Sequence, residues 1–284
     1  MGQDTLFYRK NTLRIGDKIH PLSPPGIMGI LNVTPDSFSD GGLFTNEEAC
    51  LEQAGKMLDE GAFCIDIGGY STRPGATDIS SGEETDRVVP IIQAVKKNYP
   101  DCVVSIDTFR SDVAREAVHA GAQMVNDVSG GKLDPSMHST VASLDVPYIL
   151  MHMRGTPQSM KNETDYDDIL LSIWNYFRDQ TDLAKSAGIR EIILDPGFGF
   201  AKSIDQNYYI LENLSYFHSL GLPLLVGLSR KSLIYKRLNI PPAEAVNGTT
   251  ALNTVALLKG AQLLRVHDVR QAKEAIELVG YVSN

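Results

Sequence analysis

Polar side chains interrupt or end a series of short apolar runs along this sequence. Each run has the length and composition of a buried strand, and a loop rich in Gly, Pro or small polar residues follows it. A single polar interruption is typical of a hydrogen-bonded core group, but a repeated series indicates side chains that converge on one site. The series comprises Asn32, Asp66, Asp107, Asn126, His152, Asp195, Ser229, Arg265 and His267.

These residue types favour ligand recognition and charge stabilisation over attack by a nucleophile. Carboxylates can accept adjacent N–H donors of a ligand in pairs, and amides can donate or accept beside them. Arg265 and His267 are two positions apart on one predicted strand, so they point the same way. The sequence has no Gly-x-Ser-x-Gly motif and no evident Ser/His/Asp arrangement.

The composition excludes several classes of protein. A formal net charge of −9 argues against a general attraction to nucleic acid or to an anionic membrane. The N-terminus lacks a signal-peptide core, and no apolar run approaches the ~20 residues that cross a bilayer, so a cytoplasmic protein is expected. Cys50, Cys64 and Cys102 lack the spacing of a zinc site and are interpreted as small packing residues.

Alternation of apolar runs with helical segments predicts a single (β/α)8 TIM barrel, an α/β fold, as one domain over residues 1–284. The predicted strands lie within residues 27–33, 63–69, 103–108, 124–131, 146–153, 191–202, 223–232 and 263–268. Helices are predicted at about 45–61, 83–98, 111–121, 166–187, 206–220, 232–259 and 269–279. Active sites of this fold lie at the C-terminal ends of the strands, which is where the polar series falls.

Three local signals complete this prediction. Residues 6–20 predict a short N-terminal β-hairpin that closes the bottom of the barrel, with residues 6–9 and 13–15 on either side of an Asn-Thr turn. Thr45 is the predicted N-cap of the first helix. Pro241 and Pro242 are expected to interrupt the helical segment before the last strand.

Several motifs resemble, in order and over essentially the whole chain, the barrel segments of the dihydropteroate synthase family of pterin-binding enzymes. They read NVTPDSFSDGG, STRPGA, SIDT, NDVSGG, MHMRGTPQSM, DPGFGFAK, SRKS and RVHD. The first motif and the DPGFGF segment are highly specific, whereas SIDT or SRKS alone would be weak signals. The resemblance implies condensation of 6-hydroxymethyl-7,8-dihydropterin pyrophosphate with 4-aminobenzoate to 7,8-dihydropteroate and pyrophosphate, in the presence of Mg²⁺.

The resemblance also implies roles for individual residues on the pterin side. Asp195 would bind the amino-pyrimidine edge of the pterin, Asn126 its neighbour, Lys231 the carbonyl side and Asp107 the reduced ring. A carboxylate suits the paired N–H donors of that edge. For Asp66 a helix cap or a strand-end hydrogen bond is an equally open interpretation.

The resemblance places the leaving pyrophosphate against Asn32, Thr72, Arg265 and His267, with Asn32 also as the Mg²⁺ ligand. The catalytic residues are then Asp107, Lys231, Arg265 and His267. If pyrophosphate leaves first, Asp107 can stabilise the cationic ring and a neutral arylamine can attack without prior deprotonation. The open alternative for Arg265 is a structural ion pair with Asp268 beside a core histidine.

For the second substrate, the resemblance implies a 4-aminobenzoate site in which sulfonamides should compete. Its residues are Thr72, Arg73, Pro74, Phe200, Ser229 and Lys231, with Phe38 as part of a cover. The implied assembly is a homodimer through helices away from the first two loops. Two positions depart from the common family pattern: Tyr70 stands where many members have Glu, and Ala201 replaces a frequent Gly.

Two other functions remain open at this point. One is a methyltransferase of the related pterin-binding group, which moves a methyl from methyltetrahydrofolate to a corrinoid protein and shares the Asp and Asn pterin contacts. Such an enzyme has no use for a pyrophosphate pocket, so Arg265 and His267 favour the synthase. The other is a non-catalytic pterin-binding paralogue, which would be expected to lack members of the site.

Overall fold

The computed structural model describes residues 10–33, 43–71, 78–156 and 159–282 of the chain. Two strands form a hairpin: β1 (Thr12–Ile15) and β2 (Lys18–Pro21). A larger sheet contains β3 (Gly26–Asn32), β4 (Cys64–Gly68), β5 (Val103–Asp107), β6 (Met124–Asp127), β7 (Tyr148–Met151), β8 (Ile192–Asp195), β9 (Leu225–Val226) and β10 (Leu263–Val266).

The α-helices of the described chain lie between these strands and after the last one. They are α1 (Leu43–Asp59), α2 (Ser81–Asn98), α3 (Ser111–His119), α4 (Met137–Leu144), α5 (Ile169–Ala187), α6 (Ile204–Glu212), α7 (Ser232–Leu238), α8 (Val246–Leu258) and α9 (Val269–Val282). Short 3₁₀ segments are Met160–Asn162, Leu214–Leu220 and Pro242–Glu244. No helix in these described ranges is long and apolar enough to span a bilayer.

The larger sheet has eight parallel strands in the order β8-β7-β6-β5-β4-β3-β10-β9. Its two edges meet through a parallel bridge between Leu194 and Leu224. The Leu194 amide donates to the carbonyl of Pro223 at 2.9 Å beside this bridge. The sheet therefore closes on itself with only a short seam, and the predicted (β/α)8 barrel is confirmed.

An apolar cluster fills the lower part of the barrel and explains why the sheet closes. Each barrel strand contributes one fully or largely buried side chain to it: Met28, Cys64, Val103, Met124, Ile149, Ile193, Leu225 and Leu263. Leu13, Ile15 and Leu22, from the N-terminal hairpin and the residue after it, belong to the same cluster. The hairpin thus caps the bottom of the barrel, as the sequence predicts, by adding apolar side chains to its interior.

The turn of this hairpin lies elsewhere than predicted. Thr12 pairs with Pro21 and Ile15 with Lys18, so the turn falls at Gly16 and Asp17. Gly16 adopts φ +57°, which a glycine tolerates in a tight turn. Leu13 and Ile15 are the alternate residues that face the barrel, whereas the predicted partner segment 6–9 lies outside the described residues.

The observed helix boundaries agree with some of the local sequence signals and disagree with others. Thr45 was wrong as an N-cap because α1 begins at Leu43; a single Ser or Thr locates a helix start only to within a few residues. The helix α4 between β6 and β7 had no sequence assignment, and only the first part of the predicted helix 206–220 is α-helical. The break at Pro241 and Pro242 is confirmed, since Pro242 begins a 3₁₀ segment between α7 and α8.

We expect Leu13→Ala to lower the free energy of unfolding by about 2–5 kcal/mol, because Leu13 is fully buried at the bottom of the barrel. The matched control is Ile19→Ala, since Ile19 lies on the other strand of the same hairpin and is 71% exposed. That control should change the free energy by less than about 0.5 kcal/mol. Urea unfolding measures both, and equal effects would contradict a capping role for the hairpin.

Candidate active site

The polar side chains of the barrel mouth lie directly above the apolar cluster. On four strands the polar residue follows the cluster residue by two positions: Asp66 after Cys64, Asn126 after Met124, Asp195 after Ile193 and Arg265 after Leu263. Side chains alternate along a strand, so both members of each pair point into the barrel. The structure thus places four members of the predicted series, Asp66, Asn126, Asp195 and Arg265, inside the barrel at the C-terminal ends of their strands.

Four residues of the polar series form a carboxylate network: Asp66, Asp107, Asn126 and Arg265. The Arg265 Nε donates to Asp66 Oδ2 at 2.6 Å, and one Nη donates to Asp107 Oδ2 at 2.6 Å. Asn126 Nδ2 donates to the same Asp66 oxygen at 2.9 Å. One guanidinium thus holds two carboxylates from neighbouring strands, β4 and β5, in fixed positions.

The alternative that pairs Arg265 with Asp268 is wrong. Asp268 instead accepts from Arg230, with Nε at 3.0 Å and Nη2 at 2.6 Å from its two oxygens. Asp268 follows β10 by two residues, so its carboxylate contacts the loop after β9 and leaves Arg265 to the barrel interior. For Asp66, the helix-cap interpretation is wrong. Its Oδ2 accepts hydrogen bonds from Arg265 and Asn126, so Asp66 is a buried ion-pair partner.

Burial changes the acidity of the carboxyl groups in the mouth. Burial, together with the charge of nearby Asp66, raises the pKa of Asp107 to about 7 against the lowering effect of Arg265. Burial also raises the pKa of Asp195, which Lys231 opposes. These opposed effects leave carboxyl groups whose charge depends on the cations beside them, as is common at functional sites.

Asp195 and Lys231 occupy the opposite part of the mouth, where the DPGFGFAK loop begins. Asp195 Oδ1 accepts the Gly197 amide at 2.8 Å. Lys231 Nζ donates to the carbonyl of Phe198 and lies 4.9 Å from the centre of the Phe200 ring. Burial lowers the pKa of Lys231 to about 8, although Asp195 raises it. The structure therefore brings together three predicted site residues, Asp195, Phe200 and Lys231.

Ser229 and His267 form a second polar pair on the adjoining edge. Ser229 Oγ lies 2.9 Å from His267 Nδ1, and the His267 amide donates to the same oxygen at 3.2 Å. Ser229 is buried and His267 half-buried. Because Arg265 and His267 are two residues apart at the end of β10, this pair lies next to the carboxylate network.

The remaining predicted residues are placed only in part. Asn32 ends β3, where it is half-buried and lies opposite Gly68 of β4 in the register. Thr72, Arg73, Pro74 and Phe38 lie outside the described residues. The structure therefore describes the geometry of the site only for Asn32 and for the residues of the later strands.

Sequence reasoning missed Lys202 and gave His152 no partner. His152 is buried, and its Nδ1 lies 3.0 Å from the Lys202 Nζ, itself buried below the DPGFGFAK loop. Lysine is almost never buried without a partner, so its residue type gave no reason to expect that Lys202 is buried. The available signal was its position directly after a loop whose glycines allow tight folding.

The structure shows the contacts of Tyr70 and the backbone conformation of Ala201, the two residues that depart from the family pattern. Tyr70 contacts the Phe109 ring edge-on at 5.1 Å between centres, and the Arg110 guanidinium lies 5.1 Å from each ring centre. Arg110 also pairs with the buried Glu84 at 2.7 Å. Ala201 adopts φ +49°, a left-handed conformation that favours glycine, which explains why Gly is frequent at this position.

The comparisons with known proteins agree with this geometry. The sequence model of the pterin binding enzyme family matches residues 28–267. A dihydropteroate synthase from Synechocystis sp. is 51% identical over 86% of this chain and 85% of its own length. The dihydropteroate synthase of Escherichia coli K12 is 42% identical over 91% of this chain and 92% of its own.

Solved structures show the same similarity. A Yersinia pestis dihydropteroate synthase in complex with a sulfonamide drug superposes with a TM-score of 0.90 at 43% identity, covering 96% of this chain and 99% of that one. The Xanthomonas albilineans enzyme with 4-aminobenzoic acid gives 0.89 at 40% identity, over 96% and 98% of the two chains. These relatives decide between the open alternatives in favour of the synthase. The chain belongs to the pterin-binding enzyme family and, within it, to the dihydropteroate synthases.

Proposed function

We propose that the barrel mouth condenses 6-hydroxymethyl-7,8-dihydropterin pyrophosphate with 4-aminobenzoate by a dissociative route. The observation that carries this proposal is the carboxylate network, which faces Asp195 and Lys231 across the same mouth. Related enzymes from Xanthomonas albilineans have been solved with 4-aminobenzoic acid and with 7,8-dihydropteroate. A site with carboxylates on one side and a lysine on the other suits a flat heterocycle that has N–H donors and a carbonyl.

On the pterin side, each residue has one task. Asp195 accepts the paired N–H donors of the amino-pyrimidine edge, and Asn126 hydrogen-bonds the neighbouring ring atoms. Lys231 donates to the pterin carbonyl, a task for which its ammonium must be charged. Asp107 lies beside the reduced ring, where its negative charge stabilises the cation that forms as pyrophosphate leaves.

The leaving pyrophosphate is bound by cations and donors at the edge of the mouth. Arg265 uses two of its five N–H groups on Asp66 and Asp107, so the other three can donate to phosphate oxygens. His267, Asn32 and Thr72 complete this pocket. When pyrophosphate has left, the neutral amine of 4-aminobenzoate attacks the methylene carbon and then loses a proton to solvent.

The 4-aminobenzoate ring binds between Phe200 and the loop residues Thr72, Arg73 and Pro74, with Ser229 and Lys231 at its edge. The half-buried Phe200 ring lies below the Lys231 ammonium, which supports an aromatic ligand at this place. A sulfonamide has the same aryl amine and an anionic group in place of the carboxylate. Sulfonamides are therefore expected to compete with 4-aminobenzoate here, as the drug complex of the Yersinia pestis enzyme suggests.

Mg²⁺ fits the donors of this site as an ion that arrives with the pyrophosphate. Among the described residues, no three His, Cys, Asp or Glu side chains are grouped as a metal site. The amide oxygen of Asn32 is a hard ligand of the type that Mg²⁺ accepts alongside phosphate oxygens and water. Mg²⁺ bound there would neutralise charge on the departing pyrophosphate.

A homodimer is proposed through the α7–α8 side of the barrel. Leu238 at the end of α7 and Leu258 at the end of α8 are both 56% exposed. A single exposed leucine is common on a protein surface, but these two lie on neighbouring helices, and a second copy would cover both.

The reaction is tested by incubating the protein with dihydropterin pyrophosphate and Mg²⁺ and measuring pyrophosphate release and dihydropteroate formation. Both should depend on added 4-aminobenzoate. Asp107→Asn should lower kcat by at least about tenfold, because an amide cannot stabilise a cationic ring by charge. Near wild-type turnover of this variant would exclude the role of Asp107, and absence of dihydropteroate from the wild type would exclude the function.

The rate should fall as the pH rises through about 8, where the half-buried Lys231 loses its proton. The sign follows from the role: the lowered pKa brings deprotonation close to neutral pH, and only the ammonium can donate to the pterin carbonyl with a positive charge. Lys231→Arg keeps the charge, so its kcat/KM profile should lack this alkaline decline. Persistence of the decline at the same pH would assign it to another group.

Leu258→Glu should shift the protein from dimer to monomer in sedimentation velocity experiments, because a charge would be buried in the proposed interface. Leu183→Glu is the matched control, since Leu183 is also 56% exposed but lies on α5. A monomeric wild type, or an equal response of both variants, would contradict this interface.

A further inference from the structure

We propose that Lys202 is a positioning residue that folds the 196–202 loop and thereby places Lys231 and Phe200 for 4-aminobenzoate. Its value for catalysis rests on the proposed function, whereas its effect on the loop does not. Lys202 has no assigned contact with either substrate, and its side chain points below the loop.

The Lys202 ammonium makes a complete set of hydrogen bonds inside the protein. Its Nζ donates to the Phe200 carbonyl at 2.9 Å and to the Gly197 carbonyl at 3.0 Å, and it lies 3.0 Å from His152 Nδ1. Three short contacts match the three donors of an ammonium, and the His152 carbonyl at 3.4 Å adds a weaker one. The residue is only 8% exposed.

None of the ion pairs in the described part of the chain includes Lys202. Burial lowers its pKa, which the negative charge of Asp195 opposes. A buried cation without a contacting carboxylate is costly, so its donors need other partners. Two of these partners are the Gly197 and Phe200 carbonyls of one loop, and the third is His152.

The backbone of this loop explains why it needs an internal donor. Gly197, Gly199 and Ala201 have positive φ values of 69°, 82° and 49°. The chain therefore reverses repeatedly, and carbonyls of the loop point inward and not into a β-ladder. The Gly197 carbonyl accepts the Phe200 amide at 3.1 Å as well as the lysine, so both reach the centre of the same turn.

His152 ties this turn to the barrel. The His152 amide donates to the Asp195 carbonyl at 2.9 Å, which extends the pairing of β7 with β8. Burial lowers the pKa of His152, and the charge of Lys202 lowers it further, which favours the neutral imidazole. A neutral ring with its proton on Nε2 can accept a hydrogen bond from Lys202 at Nδ1, 3.0 Å away.

The same loop provides the contacts that place the catalytic lysine. The Phe198 carbonyl accepts from Lys231, the Phe200 ring lies 4.9 Å from the Lys231 Nζ, and the Gly197 amide donates to Asp195. Without the Lys202 donors, the Gly197 and Phe200 carbonyls lose their common partner. Lys231 and Phe200 then lose their positions, while the carboxylate network on the other strands keeps its own contacts.

The test compares Lys202→Met, which has a similar length but no donor, with the exposed control Lys185→Met on α5. Lys202→Met should raise KM for 4-aminobenzoate about tenfold, because Phe200 and Lys231 both contact that substrate in the proposed site. KM for dihydropterin pyrophosphate should rise less, by about threefold, because only Lys231 of these two residues contacts the pterin. Hydrogen exchange of the 197–201 amides should accelerate at least about tenfold, and exchange in β5 should stay unchanged. The control should match the wild type in every measurement.

A purely structural lysine would give a different result. Equal increases in both KM values, or unchanged KM values with unchanged exchange, would overturn the proposal. Thermal unfolding of Lys202→Met shows whether the variant folds, and Lys202→Gln provides a shorter neutral side chain that retains a donor and should show a smaller change in KM for 4-aminobenzoate. If the wild type forms no dihydropteroate, the proposed function fails, and the exchange measurement still tests the loop.

Discussion

The structure of the site depends on one guanidinium that bonds two buried carboxylates. Arg265 donates to Asp66 on β4 and to Asp107 on β5, so it joins three strands of the barrel across their C-terminal ends. The guanidinium supplies the countercharge for both carboxylates inside the barrel, and they supply the countercharge for the guanidinium. The pairing therefore sets the charge of the mouth and the direction of the side chains around it.

The barrel can hold these charged side chains because its interior is divided into a lower apolar level and an upper polar level. The lower level holds only apolar side chains, one from each strand, and the hairpin residues Leu13 and Ile15 close it from below. The upper level holds polar side chains, which on four strands lie two residues further along than the apolar one. Because alternate residues of a strand face the same side, a short apolar run that ends in a polar residue supplies both levels at once.

The loops after β8 and β9 add what rigid strands cannot provide. Lys231 comes from the second loop, and its partners Phe198 and Phe200 come from the first. The first loop folds around the buried Lys202 and is joined to β7 by His152. Ala201 adopts a left-handed conformation within this loop. Glycine would adopt this conformation without strain, and alanine has the smallest side chain that can take its place.

The sequence alone determined the barrel and most site positions, because strand length, alternation and loop composition are local properties that survive without knowledge of neighbours. Asp107, Asn126, Asp195 and Arg265 were singled out this way as polar ends of predicted strands, whereas Lys231 and the roles of all five came from the resemblance to the family motifs. Pairing was decided only in three dimensions: Arg265 contacts Asp66 and Asp107 and not nearby Asp268, and Lys202 is buried beside His152. These partners are separated by 199, 158 and 50 positions, so only the tertiary fold brings them within hydrogen-bonding distance.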